Sequence, residues 1–560
     1  MSRRKIFENA RIVDVINGSV YNGWFSVVNG RFEYVEEGNY SKNLASDVVD
    51  LSGEYVVPGL IDAHMHIESS LLTPRRFAEA VIPWGTCAVL QDPHEMANVF
   101  GRDGIDFMIR NSDHQPLKIY TAIPSCVPAT RNKLETGNAK ILAEDIHVLA
   151  KNKNVIALGE IMDYNSVLER NSEIMAIIEA AVEEGLSLEG HCPTLKGRKL
   201  SQYISCGIRS DHTLTNPDKI QEQLRKGLYV MFQRKSITER NINFVKKLKD
   251  RSRILLVTDD IPPSDLQKGH LNEVLNEAIR KGWNPIDAIS SSTVRPAVYL
   301  GISNNLGSIT PGKTASFFIS KTLKALKPKN IFIEGECFSP DKIIPTSLVE
   351  KYINSLAIRK LKKTDFKIVD DQAICKYKLN VITANRKNTV TNLTKKVVKF
   401  KKGYPLINDM DLAQIAVFRR RSKEPTGAFC ILKGLGMQCG AFATSFAHDS
   451  HNLVIVGKDF DSMARAANLV INVGGGISVV NGKHKAILEL PIGGVITDAP
   501  ISEVSAKIKE IEEILREMGV VHKSPLIFLT ILSLSVSPYY KVSDLGIIDT
   551  ERARMLSLII

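Results

Sequence analysis

The 560-residue chain has eight cysteines but no Cys-x-x-Cys pair. They stand singly, at Cys87, Cys126, Cys192, Cys206, Cys337, Cys375, Cys430 and Cys439, which argues against a structural zinc knot and a disulfide framework. Reduced, mostly buried thiols are expected instead. Long apolar runs are also missing. No stretch reaches the roughly 18 uninterrupted apolar residues of a spanning helix. The longest, 525–536, carries serines and a threonine and reads as a buried segment. The glycine run Gly474-Gly475-Gly476 lacks both the strand–GxGxxG–helix context of a dinucleotide site and a P-loop lysine, so it reads as a turn. Met1-Ser2-Arg3-Arg4-Lys5 is basic, but Phe7-Glu8-Asn9 follows where a signal peptide would need an apolar region, so a cytoplasmic location is expected.

What is present is the composition of a globular enzyme: 44% hydrophobic, 24% charged and 7% aromatic residues. At this length one core is not enough, and two or three domains are expected. The net charge of +12 lies largely between Lys351 and Lys402, with clusters at Arg359, Lys360, Lys362 and Lys363 and at Lys395, Lys396, Lys399, Lys401 and Lys402. Neither cluster is interleaved with aromatics, so a solvated lysine-rich surface is the expectation and a nucleic-acid partner is not.

The first 55 residues alternate short β-rich runs, 12–16 and 24–28, with Asn17-Gly18 and Asn29-Gly30, the latter a strong hairpin signal. A run over 55–61 leads to Pro58-Gly59, where the texture changes. Strand-like runs at 87–90, 119–123, 155–158, 186–188, 207–209, 228–232 and 253–257 then alternate with helical stretches such as 172–184 and 271–281. That alternation over about 240 residues is the pattern of a (β/α)8 barrel. β-type sequence returns at 306–318. The expected architecture is α/β. Residues 1–57 and the return segment 301–350 build a small β-sandwich, 58–300 the barrel, and 351–560 an additional C-terminal α/β domain with a helix near 503–518.

In such a barrel, side chains at the C-terminal strand ends converge on one face. Reading only those ends selects His64 and His66, then Glu160, His191, His212 and Asp259. His-x-His on an extended segment turns both rings to one side, because side chains alternate with period two. Imidazole and carboxylate suit Zn, Mn, Fe or Co better than Mg or Ca. Any one of these histidines alone would more often be structural; six such residues at successive strand ends make a two-metal site.

The motifs around them are specific. Val57-Pro58-Gly59-Leu60-Ile61-Asp62-Ala63-His64-Met65-His66 resembles the signature of the amidohydrolase superfamily. Asp92-Pro93-His94-Glu95-Met96-Ala97-Asn98, Gly190-His191-Cys192-Pro193, Gly269-His270-Leu271-Asn272 and Ala447-His448-Asp449-Ser450-His451-Asn452 resemble the bacterial and archaeal adenine deaminases more narrowly. The resemblance runs from about residue 5 to residue 550. It implies two divalent transition-metal ions, Mn2+ or Fe2+ with Zn2+ as an alternative, held by His64, His66, Glu160, His191, His212 and Asp259. It implies conversion of adenine to hypoxanthine and ammonia by a metal-bridged hydroxide, with Asp259 moving the proton. Glu68, Glu95, His94 and His270 are candidates to assist at ring N1. The expected partner is a small-molecule purine, with no membrane, and the chain is expected to form a homo-oligomer.

Three positions depart from the family pattern. Thr213 stands where a glutamate is usual, Ile261 where an arginine is usual, and Gln233-Arg234-Lys235 where Arg-Glu-Gly is usual. They raise the alternative of another purine-like or cyclic amidine substrate, or of a metal- or nucleic-acid-binding protein without catalysis.

Overall fold

The computed structural model describes residues 4–41, 47–130, 134–370, 373–408 and 410–560. The basic start therefore lies outside the described residues, apart from Arg4 and Lys5.

The N-terminal hairpin forms where the sequence places it. Asn29 and Gly30, at φ 51° and 75°, take the left-handed conformation that a two-residue hairpin turn needs, joining Ser19–Val28 to Arg31–Glu37. These strands, Lys5–Asp14, Asp47–Asp50 and Tyr55–Pro58 share one eight-stranded sheet with the returning strands Phe317–Ser320, Lys329–Ile333 and Glu336–Cys337. The sheet curls over its own phenylalanines. Phe7 stacks on Phe25 at 4.8 Å, and both meet Phe317 edge-on. The flanking segments are thus one continuous hydrogen-bonded sheet.

The expected run 55–61 is two strands. Tyr55–Pro58 pairs antiparallel with Phe317–Ser320 in this first sheet, whereas Leu60–Met65 pairs parallel with Thr86–Gln91 in another. The hinge is Gly59. A Cβ there would lie 2.5 Å from Cys87 Sγ and 3.3 Å from the Ser316 carbonyl, so only glycine lets the chain cross so close.

Beyond it, Leu60–Met65, Thr86–Gln91, Lys118–Ile123, Val155–Ile161 and Ser187–Gly190 form a five-stranded parallel sheet, in chain order. Ser210–Asp211, Tyr229–Phe232 and Ile254–Leu256 form a three-stranded parallel one. Parallel bridges from Leu188 to Ile208 and from Met65 to Asp259 join the two at both edges. Buried residues dominate all eight strands, and apart from Ser187–Gly190 and Ser210–Asp211 they read as apolar runs rather than alternating ones.

From 374 to 489 a nine-stranded sheet carries the helix Phe460–Asn472, and the helix Ile501–Glu517 follows. Gly474-Gly475-Gly476 is the turn into the strand Gly476–Asn481. The largest apolar cluster is shared between regions: Met65, Leu72 and Phe77 belong to it together with Ile415, Phe442, Phe446 and Ile511. Thr73 and Thr497 reinforce the seam, with backbone bonds from Thr73 N to the Thr497 carbonyl (3.1 Å) and from Thr497 N to the Leu71 carbonyl (2.8 Å). No disulfide joins the cysteines among the described residues, but only Cys87, Cys126, Cys192 and Cys430 are buried; Cys337 and Cys439 are exposed. No helix among the described residues is long and apolar enough to cross a membrane.

Candidate active site

The six residues selected from strand ends meet at the C-terminal ends of the parallel strands. His64 and Glu160 lie inside their strands, one residue before the end, rather than past it. His191 and His212 follow theirs directly. Glu160 is the centre. Its Oε2 lies 2.5 Å from His191 Nδ1 and 3.1 Å from His212 Nε2, and its Oε1 lies 3.5 Å from His66 Nε2. Asp259 closes the other side, its Oδ1 3.4 Å from His66 Nε2 and 3.8 Å from His64 Nε2. The rings of His64 and His212 stack at 3.8 Å.

Backbone geometry sets these positions. Asp259 adopts φ 59°, a left-handed conformation costing about 1 kcal/mol for a non-glycine residue, and its N–H bonds the His64 carbonyl at 3.2 Å. Glu160 N donates to Asp92 Oδ2 at 3.0 Å. A Cβ at Gly159 would sit 2.1 Å from that same oxygen, so the carboxylate can approach only because residue 159 has no side chain.

Hydrogen bonds behind the rings choose their tautomers. His66 Nδ1 lies 2.9 Å from the Asp92 carbonyl, which can only accept, so Nδ1 carries the proton and Nε2 is free to face Glu160 and Asp259. His64 Nδ1 faces Glu189 Oε2 at 3.6 Å, and Glu189 in turn accepts from the Tyr299 hydroxyl. Burial pushes the Glu189 carboxyl up to about 8. Burial pushes Glu160 and Asp259 upward too, but the facing imidazoles outweigh it and hold both carboxyls well below the usual range. Asp92, Glu189 and Tyr299 were not selected from the sequence. Glu189 stands two residues before His191 on the same face, a spacing that would have found it.

The remaining candidates separate. Glu68 is buried in a short turn after His66; it accepts from Met96 N at 3.4 Å, and burial pushes its carboxyl up to about 7. His94 lies over the cluster, Nδ1 3.8 Å from Glu160 Oε1. Glu95 is held by His448 and His451, which reach the strand ends from the C-terminal region of the same chain. His270 bonds Thr86 Oγ1 at 2.8 Å and faces Asp62 at 3.6 Å, two residues down the strand from His64.

The departing positions are engaged elsewhere. Thr213 donates its hydroxyl to Asp211 at 2.9 Å and accepts from Lys219 Nζ at 2.6 Å. Ile261 belongs to the apolar cluster that includes Leu72 and Leu266. Gln233 donates to the His212 carbonyl at 3.2 Å, while Arg234 and Lys235 are exposed.

Comparison with known proteins follows the same outline. Residues 55–342 match the amidohydrolase family and residues 388–554 match the adenine deaminase C-terminal domain. A Clostridium perfringens protein named adenine deaminase is 36% identical over 567 residues, covering 97% of this chain and 98% of that one. An adenine deaminase of Archaeoglobus fulgidus is 34% identical, covering 99% and 95%. Among solved structures, E. coli guanine deaminase aligns with 60% of this chain and 99% of its own at 15% identity, with a TM-score of 0.44.

Proposed function

The chain belongs to the adenine deaminase family of amidohydrolases, and from that premise we propose that it hydrolyses adenine to hypoxanthine and ammonia. The observation that carries this reading is the largely buried cluster of four imidazoles and two carboxylates, in a chain that adenine deaminases match over nearly its whole length. We read the two parallel sheets, bridged at both edges, as a (β/α)8 barrel over 58–300, with 301–350 returning to the N-terminal sheet and 351–560 as the C-terminal domain.

The donor set fits divalent transition metals. His64 Nε2 and His212 Nδ1 are buried without a hydrogen-bond partner, which is costly unless something else binds there. His64, His66 and Asp259 would hold one ion and His191 and His212 a second, with Glu160 between them; Mn2+ or Fe2+ is our reading, and Zn2+ also suits the donors. Bound there, such ions supply Lewis acidity and acidify a coordinated water.

Asp259 accepts a proton from the attacking water at Oδ1 and returns it to the departing 6-amino group. Oxygen joins C6, the C6–N bond breaks, and ammonia leaves. Glu95 is held at both oxygens and His270 is bonded to Thr86, which leaves Glu68 and His94 to donate toward ring N1. Glu68 suits that task because it is buried just after His66 with Oε2 unpartnered, and burial pushes its carboxyl upward. The test is to load the chain with Mn2+ or Fe2+, add adenine and follow hypoxanthine and ammonia. Absence of turnover with either metal would sink the substrate claim.

A further inference from the structure

A line of contacts joins a buried arginine of the C-terminal region to the carboxylate at the centre of the cluster. Arg420 is fully buried and spends its guanidinium on neutral oxygens: the His451 carbonyl at 3.1 Å, Ser355 Oγ at 2.6 Å and the Gly493 carbonyl. This anchors the segment that carries His448 and His451. His451 sits at φ 51°, and Ala447 N donates to its Nδ1 at 3.3 Å. Nδ1 therefore accepts, so Nε2 carries the proton and donates to Glu95 Oε2. The other oxygen, Oε1, pairs with His448 Nδ1.

Both oxygens of Glu95 thus face imidazoles of one segment, Oε2 through a hydrogen bond and Oε1 through an ion-pair contact. Burial pushes this carboxyl up, but the two imidazoles hold it well below its ordinary range. Glu95 is the second residue of the helix His94–Phe100, and the ring beside it completes the line. His94 Nε2 lies 3.6 Å from Glu95 Oε1, and its Nδ1 lies 3.8 Å from Glu160 Oε1. A buried carboxylate of this kind holds its geometry only while every partner is in place.

Resting on the deaminase reading above, we infer that His448 and His451 are positioning residues. Through Glu95 they fix His94 against Glu160, which makes the C-terminal region a working part of the catalytic site. Neither histidine needs to touch the substrate.

The test uses the full chain loaded with Mn2+, with the variants His448→Asn, His451→Gln and Glu95→Gln. Each is expected to lower kcat on adenine about 10–100-fold, the range for losing a group that orients a catalytic side chain, with bound metal per chain within about twofold of the parent. His451→Gln combined with Glu95→Gln is expected to fall no further than Glu95→Gln alone, because both cut one line of contacts. His451 is wholly buried, so His448→Asn, whose side chain is 15% exposed, carries the test if His451→Gln fails to fold. A second readout does not depend on turnover: in Glu95→Gln, amide exchange should quicken together at 446–452 and at 94–100. Additive losses overturn the inference, as does an unchanged kcat in His448→Asn, or exchange at 446–452 that ignores Glu95→Gln. If the parent chain fails to deaminate adenine, the functional reading falls, and the exchange result still decides whether the two segments are clasped.

Discussion

At the scale of the residue, two positions make the sharpest claims. Asp259 has its carboxylate oxygen facing His64 and His66 and a backbone strained to hold it there. Asp259→Asn keeps the size and removes the base, so kcat should fall about 100- to 10,000-fold with the fold intact, measured as ammonia release beside a thermal melt. Activity within tenfold of the parent would remove Asp259 from the proton path. Gly159 makes a steric claim: Gly159→Ala puts a methyl 2.1 Å from Asp92 Oδ2, against the carboxylate that holds Glu160 N. Overpacking of this sort costs roughly 1–3 kcal/mol, and the lower melting temperature should come with loss of deamination. The clustered histidines and carboxylates were legible in the sequence because strand ends are legible. Asp92 is not found that way, because its carboxylate accepts from Glu160 N, a contact between distant strands that no local pattern shows, whereas the spacing of Glu189 from His191 was open to reading.

At the scale of the element, the helix Pro217–Arg225 shows how a neighbour holds a strand end in place. Its Lys219 Nζ lies 2.8 Å from Asp211 Oδ2, and its Gln223 donates to the same oxygen at 2.7 Å. Asp211 in turn accepts from Cys192 N at 3.0 Å, tying the segment after His191 to the one before His212. Burial pushes the Asp211 carboxyl up, but Lys219 and these hydrogen bonds hold it well below the usual range. Lys219→Met strands a buried carboxylate and should cost on the order of 3 kcal/mol. It should also weaken metal binding about tenfold, since the segments carrying His191 and His212 lose their common tie. Thermal unfolding and a Mn2+ titration check the two effects, and unchanged metal affinity would count against the tie. Apolar runs revealed seven of the eight parallel strands to within a few residues; the run at 207–209 falls just before its strand, Ser210–Asp211, which is too short and polar to read as one. They could not reveal the break at Gly59, because Tyr55–Pro58 and Leu60–Met65 are equally apolar and differ only in which sheet they join.

At the scale of the whole molecule, the C-terminal region is seated by a shared apolar cluster and by polar contacts to the segment around Glu135. Ser535 donates to Glu135 Oε1 at 2.7 Å, and burial pushes that carboxyl from its ordinary 4.5 up to about 8. An acid raised on folding contributes stability that is full below pH 4.5 and lost as pH rises through about 8. Glu135→Gln mimics the protonated form, so it should melt above the parent at pH 9, by a few kcal/mol at most, with the gap closing at pH 5. A gap independent of pH would contradict the assignment. The parallel strands, the histidines and carboxylates at their ends and the family were open to reading from the chain alone, because apolar period and His-x-His spacing are local properties. It took the folded arrangement to show that His448 and His451 meet Glu95 some 350 residues earlier, and that Thr213 and Ile261 are engaged with Asp211 and the apolar core. Those contacts depend on how distant segments pack, and no local pattern encodes which buried carboxylate a remote histidine will reach.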